Sequence, residues 1–294
     1  MIIAIASGKG GTGKTTVAVA LALSLAEEHP IFLDCDVEEP NAALFLQPEL
    51  TQQRDVGQMI PEVDTERCTA CGRCAEVCRY HAIAVFGKQV LVFPELCHGC
   101  GSCTLNCPEG AIHEVFQPLG TIAQGQAGAI TFGQGTLIVG QAMATPIIRR
   151  LKQALLSPKP QQPAILDAPP GTACPVVETL RGADLALLVT EPTPFGLHDL
   201  RLAVEVARDE LGLPVAVIIN RDGVGDAGVD AYCAAEAIPI LLRIPLDRSI
   251  AEGIAQGRTL TELQPGYLAR FRQVYQDIEQ LVASAGHALP HTPA

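Results

Sequence analysis

Residues 8–16 read GKGGTGKTT, and this stretch decides the fold of most of the chain. Four of its residues satisfy the phosphate-binding pattern G-x-x-x-x-G-K-[ST]: Gly8, Gly13, Lys14 and Thr15. A short apolar run, residues 2–6, precedes the motif, and an Ala- and Leu-rich run with high helix propensity, residues 17–28, follows it. A strand, a glycine-rich loop and a helix in this order are the arrangement in which the motif binds a nucleotide.

The composition of the loop predicts a nucleoside triphosphate site. Its glycines allow backbone N–H groups to turn toward the β-phosphate, and the dipole of the following helix adds partial positive charge there. We expect Lys14 to reach the β- and γ-phosphates and the Thr15 hydroxyl to ligate Mg²⁺. The residues predicted to contact ATP here are Gly8, Gly10, Gly11, Thr12, Gly13, Lys14, Thr15 and Thr16. The alternative is a glycine-rich turn that binds no nucleotide.

Short apolar runs that alternate with helix-prone stretches predict an α/β fold with a mostly parallel sheet flanked by helices. The runs are 2–6, 31–34, 164–167, 185–190, 215–220 and 240–244. The run 164–167 ends in Asp167, as expected of an acid that contacts Mg²⁺ through water in a nucleotide site. The alternative for such an acid is solvation at a strand end or helix capping.

Eight of the eleven cysteines fall in two runs of the same shape, C-x-x-C-x-x-C-x-x-x-C. This is the spacing of a bacterial ferredoxin with two 4Fe–4S clusters, in which each run gives its fourth thiolate to the other cluster. The predicted ligands of one cluster are Cys68, Cys71, Cys74 and Cys107, and those of the other are Cys78, Cys97, Cys100 and Cys103. The alternatives are zinc, which usually takes two separated C-x-x-C pairs, and disulfides, which need an oxidising compartment.

Composition and charge argue against several classes of function. The 294 residues are 48% apolar and 18% charged, with a net charge of −12. Such an acidic chain disfavours a nucleic-acid surface, which needs a basic stripe, and an anionic membrane. No apolar run has the length of a membrane span, and residues 2–6 are too few for a signal peptide. We expect a cytoplasmic protein without nucleic-acid binding or stable membrane insertion.

Lys9, a second lysine directly after the first glycine, makes the loop resemble the deviant Walker loop of the MinD-like ATPases. That superfamily includes MinD, ParA, the nitrogenase iron protein and the Mrp-type iron–sulfur carriers. The resemblance implies that ATP binding closes a homodimer in which Lys9 reaches the partner's nucleotide. It also implies that Asp36 lies in the first switch loop, near the attacking water and Mg²⁺. The predicted catalytic residues are thus Lys9, Lys14 and Asp36, and the predicted Mg²⁺ ligands are Thr15, Asp36 and Asp167.

Two later segments extend the same resemblance. Residues 168–172, APPGT, resemble the second switch of the Mrp-type proteins. An asparagine at the end of the fifth apolar run, Asn220, corresponds to a family position that reads the adenine, and the loop with Pro245 is expected nearby. A strand-end asparagine is also a common turn residue, so both readings stay open. Cys174 follows Asp167 at an offset similar to that of a bridging-cluster ligand in the nitrogenase iron protein. No second ligand for such a cluster stands out in the sequence, so whether Cys174 supports a further bridging cluster stays open.

The whole chain resembles a branch of MinD-superfamily ATPases with an inserted bacterial-type ferredoxin domain. The expected ATPase domain comprises residues 1–62 and 116–285, the insert comprises residues 63–115, and residues 286–294 form a flexible tail. Alternating apolar residues in the Gly- and Gln-rich stretch 121–139 predict a hairpin that leads back to the sheet.

The combination of motifs predicts an ATP-hydrolysing, homodimeric switch that couples its nucleotide state to electron transfer with an unidentified redox partner. Its expected cofactors are ATP, Mg²⁺ and two 4Fe–4S clusters. One alternative is an iron–sulfur assembly or carrier ATPase that delivers clusters to an acceptor protein. A second alternative is a positioning or scaffold ATPase whose clusters are structural.

Overall fold

The computed structural model describes residues 1–286, and its centre is a nine-stranded sheet. The strands are β1 (Ile2–Ala6), β2 (Ile31–Asp34), β3 (Glu49–Val63), β4 (Ile83–Phe86), β5 (Gln89–Val92), β6 (Ile112–Ala127), β7 (Ile130–Leu137), β8 (Ala164–Asp167), β9 (Leu185–Thr190), β10 (Val215–Asp222) and β11 (Ile240–Pro245). The sheet has the order β11-β10-β9-β1-β8-β2-β7-β6-β3, and β4 pairs with β5 in a separate ladder.

Helices cover both faces of the sheet. They are α1 (Lys14–Ser24), α2 (Ala42–Leu46), α3 (Arg73–Val77), α4 (Ser102–Leu105), α5 (Thr145–Leu156), α6 (Cys174–Leu180), α7 (Pro194–Val204), α8 (Gly228–Ala235), α9 (Arg248–Ala255), α10 (Leu260–Leu263) and α11 (Gly266–Gly286). No helix within residues 1–286 combines the length and apolarity that a bilayer crossing requires. The predicted tail, 286–294, falls outside the described residues except for Gly286, which ends α11.

The central strands are parallel and buried on both faces, which explains why the sequence shows them as unbroken apolar runs. β1 pairs in parallel with β8 and β9. Ile3 and Ile5 pack in one apolar core with residues of α1 and α11, whereas Ile2 and Ala4 pack in the other core with residues of α5 and α6. This arrangement confirms the predicted α/β class with a mostly parallel sheet.

One end of the sheet is antiparallel. β7 pairs in parallel with β2, and the predicted hairpin is present as β6 paired with β7. β6 begins much earlier than predicted and also pairs with β3, from Glu49 opposite Gln126 to Val63 opposite Ile112. We call the paired strands β3 and β6 the arm. No sequence pattern predicted β3. Most of its exposed side chains are polar and they follow one another along the chain, so the strand lacks the alternation of apolar and polar residues that identifies a half-buried strand.

The segment 64–111 at the far end of the arm carries the eight cysteines of the two runs. It contains α3, α4 and the ladder of β4 and β5. Two small apolar clusters, separate from the cores of the main sheet, support it around Ile83 and Ala82. The predicted boundaries of the insert, 62/63 and 115/116, lie within β3 and β6, and the division into two domains stays a prediction.

Candidate functional site

The glycine-rich loop joins the end of β1 to α1, which begins at Lys14. Gly11 and Gly13 have φ values of 76° and 92°, in the left-handed region that favours glycine. A Cβ on Gly13 would also collide with the side-chain amide of Asn220. Lys14 is buried, with 7% of its surface exposed, and its positive charge opposes the rise that burial causes in the pKa of Asp36 and of Asp167. The loop therefore has the backbone that a phosphate-binding cradle requires.

Two buried carboxyl groups lie side by side at the carboxyl ends of β2 and β8, where Asp34 is the register partner of Asp167. Burial is the main cause that raises the pKa of both, to about 7 for Asp167, and Asp167 itself further raises the pKa of Asp34. Burial also raises the pKa of the nearby Asp36, against the opposing charge of Lys14. A buried carboxylate is costly unless it gains a proton, hydrogen bonds or an opposite charge, so the partners of each of these acids decide its role.

Asp34 has a structural role that no sequence pattern assigned to it. Its carboxylate accepts hydrogen bonds from the backbone N–H groups of Asp36, at 3.2 Å, and of Asn41 and Ala42, both at 3.0 Å. It thus fixes the loop that carries Asp36 and the start of α2. The position of Asp34 directly after a buried parallel strand was the available signal.

Asp167 fits Mg²⁺. Both carboxylate oxygens are buried, and neither accepts a hydrogen bond within the described residues. The Thr15 hydroxyl lies near enough to lower the pKa of Asp167, although it does not reach hydrogen-bond geometry with either oxygen. A buried carboxylate without a partner is costly, and a hard cation with oxygen ligands would satisfy it.

A cavity of about 450 Å³ opens beside the loop. Nine of the predicted residues line it together: Gly10, Gly11, Gly13, Lys14, Thr15, Thr16, Asp36, Asn220 and Pro245. Its far wall is apolar and includes Phe45, Ile250 and Leu260. Four predicted residues do not line it: Gly8, Lys9, Thr12 and Asp167. Gly8 packs directly against the α7 backbone at Asp199, and Thr12 is buried.

Asn220 holds the loop. Its side-chain amide donates to the carbonyl of Thr12 at 2.7 Å, and its side-chain oxygen accepts from the N–H of Arg221 at 2.9 Å. The two ends of the side chain therefore already have protein partners. The adenine contact that the family resemblance implied for Asn220 stays a prediction.

Lys9 forms an ion pair within its own subunit. Its Nζ lies 3.0 Å from Oε2 of Glu191, the residue that follows β9. The other carboxylate oxygen, Oε1, lies 2.5 Å from Nη1 of Arg221, and Nη2 of Arg221 donates to the carbonyl of Gly11 at 3.2 Å. No sequence pattern pointed to Glu191 or Arg221. Their positions at the carboxyl ends of neighbouring parallel strands are the only signal that could have found them.

The cysteines surround two cavities at the end of the arm. One is lined by Cys68, Cys71, Cys74 and Cys107, and the other by Cys78, Cys97, Cys100 and Cys103. These are the two crossed sets that the spacing predicted. The two cavities are of similar size. Within residues 1–286, no group of three or more Cys, His, Asp or Glu side chains converges on a point that would hold a single metal ion.

The chemistry around the thiols fits a 4Fe–4S cluster in each cavity. Backbone N–H groups approach three of the sulfurs: Cys78 and Cys107 at 3.3 Å and Cys97 at 3.4 Å. Such donors stabilise sulfur that carries negative charge. Burial raises the pKa of the Cys74, Cys97 and Cys103 thiols. Cluster binding would therefore release protons from these thiols.

The two halves of the cysteine segment repeat one local structure. Gly72 and Gly101, which occupy equivalent places in the two runs, have φ values of 83° and 71° and precede α3 and α4. The halves differ at the second cavity, where the rings of Tyr80 and His98 stack with centroids 3.8 Å apart. Cys174 lies far along the chain from both cysteine runs, at the first turn of α6, and is exposed.

Residues 3–260 match the sequence profile of the CobQ/CobB/MinD/ParA nucleotide binding domain family. The uncharacterized protein MJ0579 of Methanocaldococcus jannaschii is 32% identical over 266 residues, which cover 88% of this chain and 91% of that protein. The mitochondrial iron-sulfur protein required for NADH dehydrogenase of Arabidopsis thaliana is 24% identical over 99% of this chain and 80% of its own.

A shorter relative and a solved structure complete the comparison. The uncharacterized ferredoxin MJ0722 of Methanocaldococcus jannaschii is 39% identical over 54 residues, which cover 17% of this chain and 70% of that ferredoxin. The septum site-determining protein MinD of Pyrococcus horikoshii, solved with Mg-ADP, superimposes with a TM-score of 0.59 at 20% identity, covering 97% of this chain and 98% of its own. This likeness shows the fold and confirms the predicted MinD-like arrangement of sheet and helices.

Proposed function

The chain belongs to the CobQ/CobB/MinD/ParA family of nucleotide-binding domains, and from this membership we propose that it is a cytoplasmic, ATP-hydrolysing switch that couples its nucleotide state to electron transfer. The electrons would pass through two 4Fe–4S clusters held in the cysteine cavities. The P-loop ATPase fold supports nucleotide binding and hydrolysis in general terms. The coupling and the redox partner are the parts that we propose.

The observation that carries the proposal is the continuous connection between the two sites. Asp34 fixes both the Asp36 loop and the start of α2, and β3 begins three residues after α2 ends. β3 then runs to the cysteine segment as one strand of the arm. Under the proposed coupling, a movement of the Asp36 loop would reach the arm through one short stretch of chain.

At the nucleotide site, each residue has a role that follows from its place. Backbone N–H groups of the loop and the buried Lys14 bind the phosphates. Thr15, Asp36 and Asp167 would hold Mg²⁺, which would neutralise phosphate charge, and Asp36 would also orient the attacking water. Lys9 of each subunit of an ATP-closed homodimer would contact the partner's nucleotide, as the family resemblance implies.

At the other end of the arm, the two crossed cysteine sets hold the clusters. When bound, such clusters accept and donate single electrons. Eight thiols give each cluster its full set of four protein ligands, so the clusters are expected to be tightly held. This favours electron transfer with a partner protein over cluster delivery.

Anaerobic spectroscopy tests the proposal. We expect purified protein to contain about eight iron atoms per chain and, when reduced, to give the EPR signal of 4Fe–4S clusters. The midpoint potentials should change when a non-hydrolysable ATP analogue is added. Cys71→Ala should lose iron, whereas Cys174→Ala, also at an exposed cysteine, should retain it. Iron-free protein would overturn cluster binding, and identical potentials with and without the analogue would overturn coupling.

The second candidate is an iron–sulfur assembly or carrier ATPase. Its support is the likeness over nearly the whole chain to the Arabidopsis iron-sulfur protein required for NADH dehydrogenase. The discriminating measurement is incubation of the loaded protein with an apo-ferredoxin under anaerobic conditions. Loss of iron from the chain to the acceptor in the presence of ATP would establish delivery. A positioning or scaffold ATPase predicts neither transfer nor a change in potential.

A further inference from the structure

The ion pair between Lys9 and Glu191 is unexpected if Lys9 serves a second subunit. Its ammonium is already engaged, 3.0 Å from the carboxylate of its own chain. Exposure of the two side chains differs, at 33% for Lys9 and 10% for Glu191. The lysine thus lies on the open side of the contact, and the carboxylate lies beneath it.

The backbone of Glu191 is tightly held. Its carbonyl accepts from the N–H of Thr193 at 2.8 Å, and a Cβ on Gly196 in α7 would collide with this carbonyl. The preceding Thr190 hydroxyl donates to the carbonyl of Gly196 at 2.9 Å. The carboxylate is therefore presented from a fixed turn between β9 and α7.

Lys9, by contrast, is free to change partner through its side chain alone. Its carbonyl accepts from the Ser7 hydroxyl at 2.6 Å, which anchors the backbone. The side chain has four rotatable carbons and one point charge at its end. Its ammonium can move away from Glu191 without any change in the loop.

Arg221 is the second cation on the same carboxylate. It adopts a left-handed φ of 52°, which is unfavourable for a residue with a side chain, at an irregularity in the pairing of β10 with β11. From this position it reaches both Glu191 and the carbonyl of Gly11. Each carboxylate oxygen of Glu191 thus has its own cation.

We propose that Glu191 is a positioning residue that holds Lys9 within its own subunit until the partner's nucleotide arrives, and that Arg221 then remains as the counter-charge of Glu191. This rests on the proposed function, in which Lys9 contacts the partner's phosphates. The departure of Lys9 leaves Glu191 paired with Arg221, so no buried carboxylate is stranded. The phosphates carry more negative charge than one carboxylate, which favours the exchange.

The test of this role is to measure dimerisation by sedimentation at increasing concentrations of a non-hydrolysable ATP analogue. Glu191→Gln keeps the shape and removes the charge that retains Lys9. We expect the analogue concentration for half-maximal dimer to fall roughly three- to tenfold relative to wild type. In the Lys9→Gln background the same substitution should have no effect. If Glu191→Gln needs the same analogue concentration as wild type for half-maximal dimer, or a higher one, the role of Glu191 is overturned.

Arg221→Gln should act in the opposite direction. Lys9 then becomes the only cation that contacts Glu191, and its departure would leave a buried carboxylate without a partner. We therefore expect the analogue concentration for half-maximal dimer to rise roughly three- to tenfold. Because Arg221 also binds the loop at Gly11, ADP affinity of the monomer is measured in parallel and used to normalise the result. Arg208→Gln, at a surface ion pair with Asp209 and Glu236, is the matched control and should behave as wild type.

The same data separate this inference from the proposed function. If wild type shows no dimer with the analogue, or if Lys9→Gln dimerises as wild type does, the proposed action of Lys9 across the interface fails, and the role of Glu191 fails with it. If wild type dimerises, Lys9→Gln does not, and Glu191→Gln matches wild type, only the role of Glu191 fails.

Discussion

Asp167 shows how strongly a single buried carboxyl group can link stability to pH. Its pKa is raised from 3.8 to about 7 by burial, and the pKa of the adjacent Asp34 is raised in the same direction. Between about pH 4 and pH 7, Asp167 therefore holds a proton in the folded chain that it has lost in the unfolded chain. The free energy of unfolding should rise as the pH falls from 7 toward 4, by up to about 1.4 kcal/mol per pH unit for each group.

Chemical denaturation without nucleotide or Mg²⁺, at intervals between pH 4.5 and 8, measures this slope. We expect Asp167→Asn to reduce the slope, with Asp34 and Asp36 contributing to what remains. Mg²⁺ with an ATP analogue should reduce the slope in wild type. Asp209→Asn, at an exposed carboxylate of the surface ion pair, is the control and should keep the wild-type slope. A slope that is the same in wild type and Asp167→Asn would contradict the prediction.

Asn220 offers a second test at the scale of one residue. Because its amide donates to the carbonyl of Thr12, Asn220→Ala should loosen the phosphate loop and lower the affinity for ADP by about fivefold, the equivalent of one hydrogen bond. Tripolyphosphate, which has no base, should lose affinity to the same extent. Calorimetry with both ligands decides the point, since a loss confined to ADP would instead support the adenine contact.

Sequence spacing predicted residues well only where the chemistry imposes a pattern. The glycines and Lys14 of the loop, and all eight cysteines, fall in spacings that their ligands require, and the structure brings them together around cavities. Glu191 and Arg221 are single residues after two separate strands, and only the fold brings them to Lys9. No local pattern records such a contact.

At the scale of elements, the buried parallel strands were predictable and the arm was only partly so. β1, β8 and β9 are buried at every position, and apart from the last residues of β8 and β9, Asp167 and Thr190, they are apolar because both of their faces are covered. β3 has a largely exposed polar surface, so its strand character comes from pairing with β6 rather than from its own side chains. When a strand is held mainly by pairing with a segment that is distant in sequence, its own residues need not show a periodic pattern.

Gly120 tests the packing at the base of the arm. A Cβ at this position in β6 would collide with the Thr136 backbone of β7 and with the Ile147 side chain of α5. We expect Gly120→Ala to lower the free energy of unfolding by about 1–3 kcal/mol through overpacking. Gly266→Ala, where a Cβ would meet nothing, is the matched control. Denaturant unfolding of both variants provides the comparison, and equal stabilities would contradict the packing described here.

At the scale of the whole molecule, the register of the arm indicates how the cysteine segment was joined to the sheet. Val63 in β3 is the register partner of Ile112 in β6, so the segment 64–111 begins and ends at the same point of the arm. We expect a variant in which Asn-Gly replaces residues 64–111 to close as a β-hairpin and to fold. It should bind ADP with an affinity within about threefold of wild type, because no loop residue changes.

Iron content, ADP affinity and thermal unfolding of this deletion variant provide the measurements. A second variant with all eight cysteines changed to alanine, which keeps the segment, separates the loss of clusters from the loss of chain. Failure of the deletion variant to fold while the alanine variant folds would contradict the independence of the main sheet from the segment.

The arm also has a mechanical consequence. β3 has 15 residues, and at about 3.3 Å per residue it extends up to about 50 Å. Because β6 is hydrogen-bonded to β7 from Gly120 onward and Gly120 lies opposite Val56, residues 57–63 of β3 extend beyond the sheet by about 23 Å. A tilt of about 5° where the arm leaves the sheet would displace its distant tip by about 2 Å over that length. Under the proposed function, such a displacement would change the distance between the clusters and a redox partner, on which the rate of electron transfer depends.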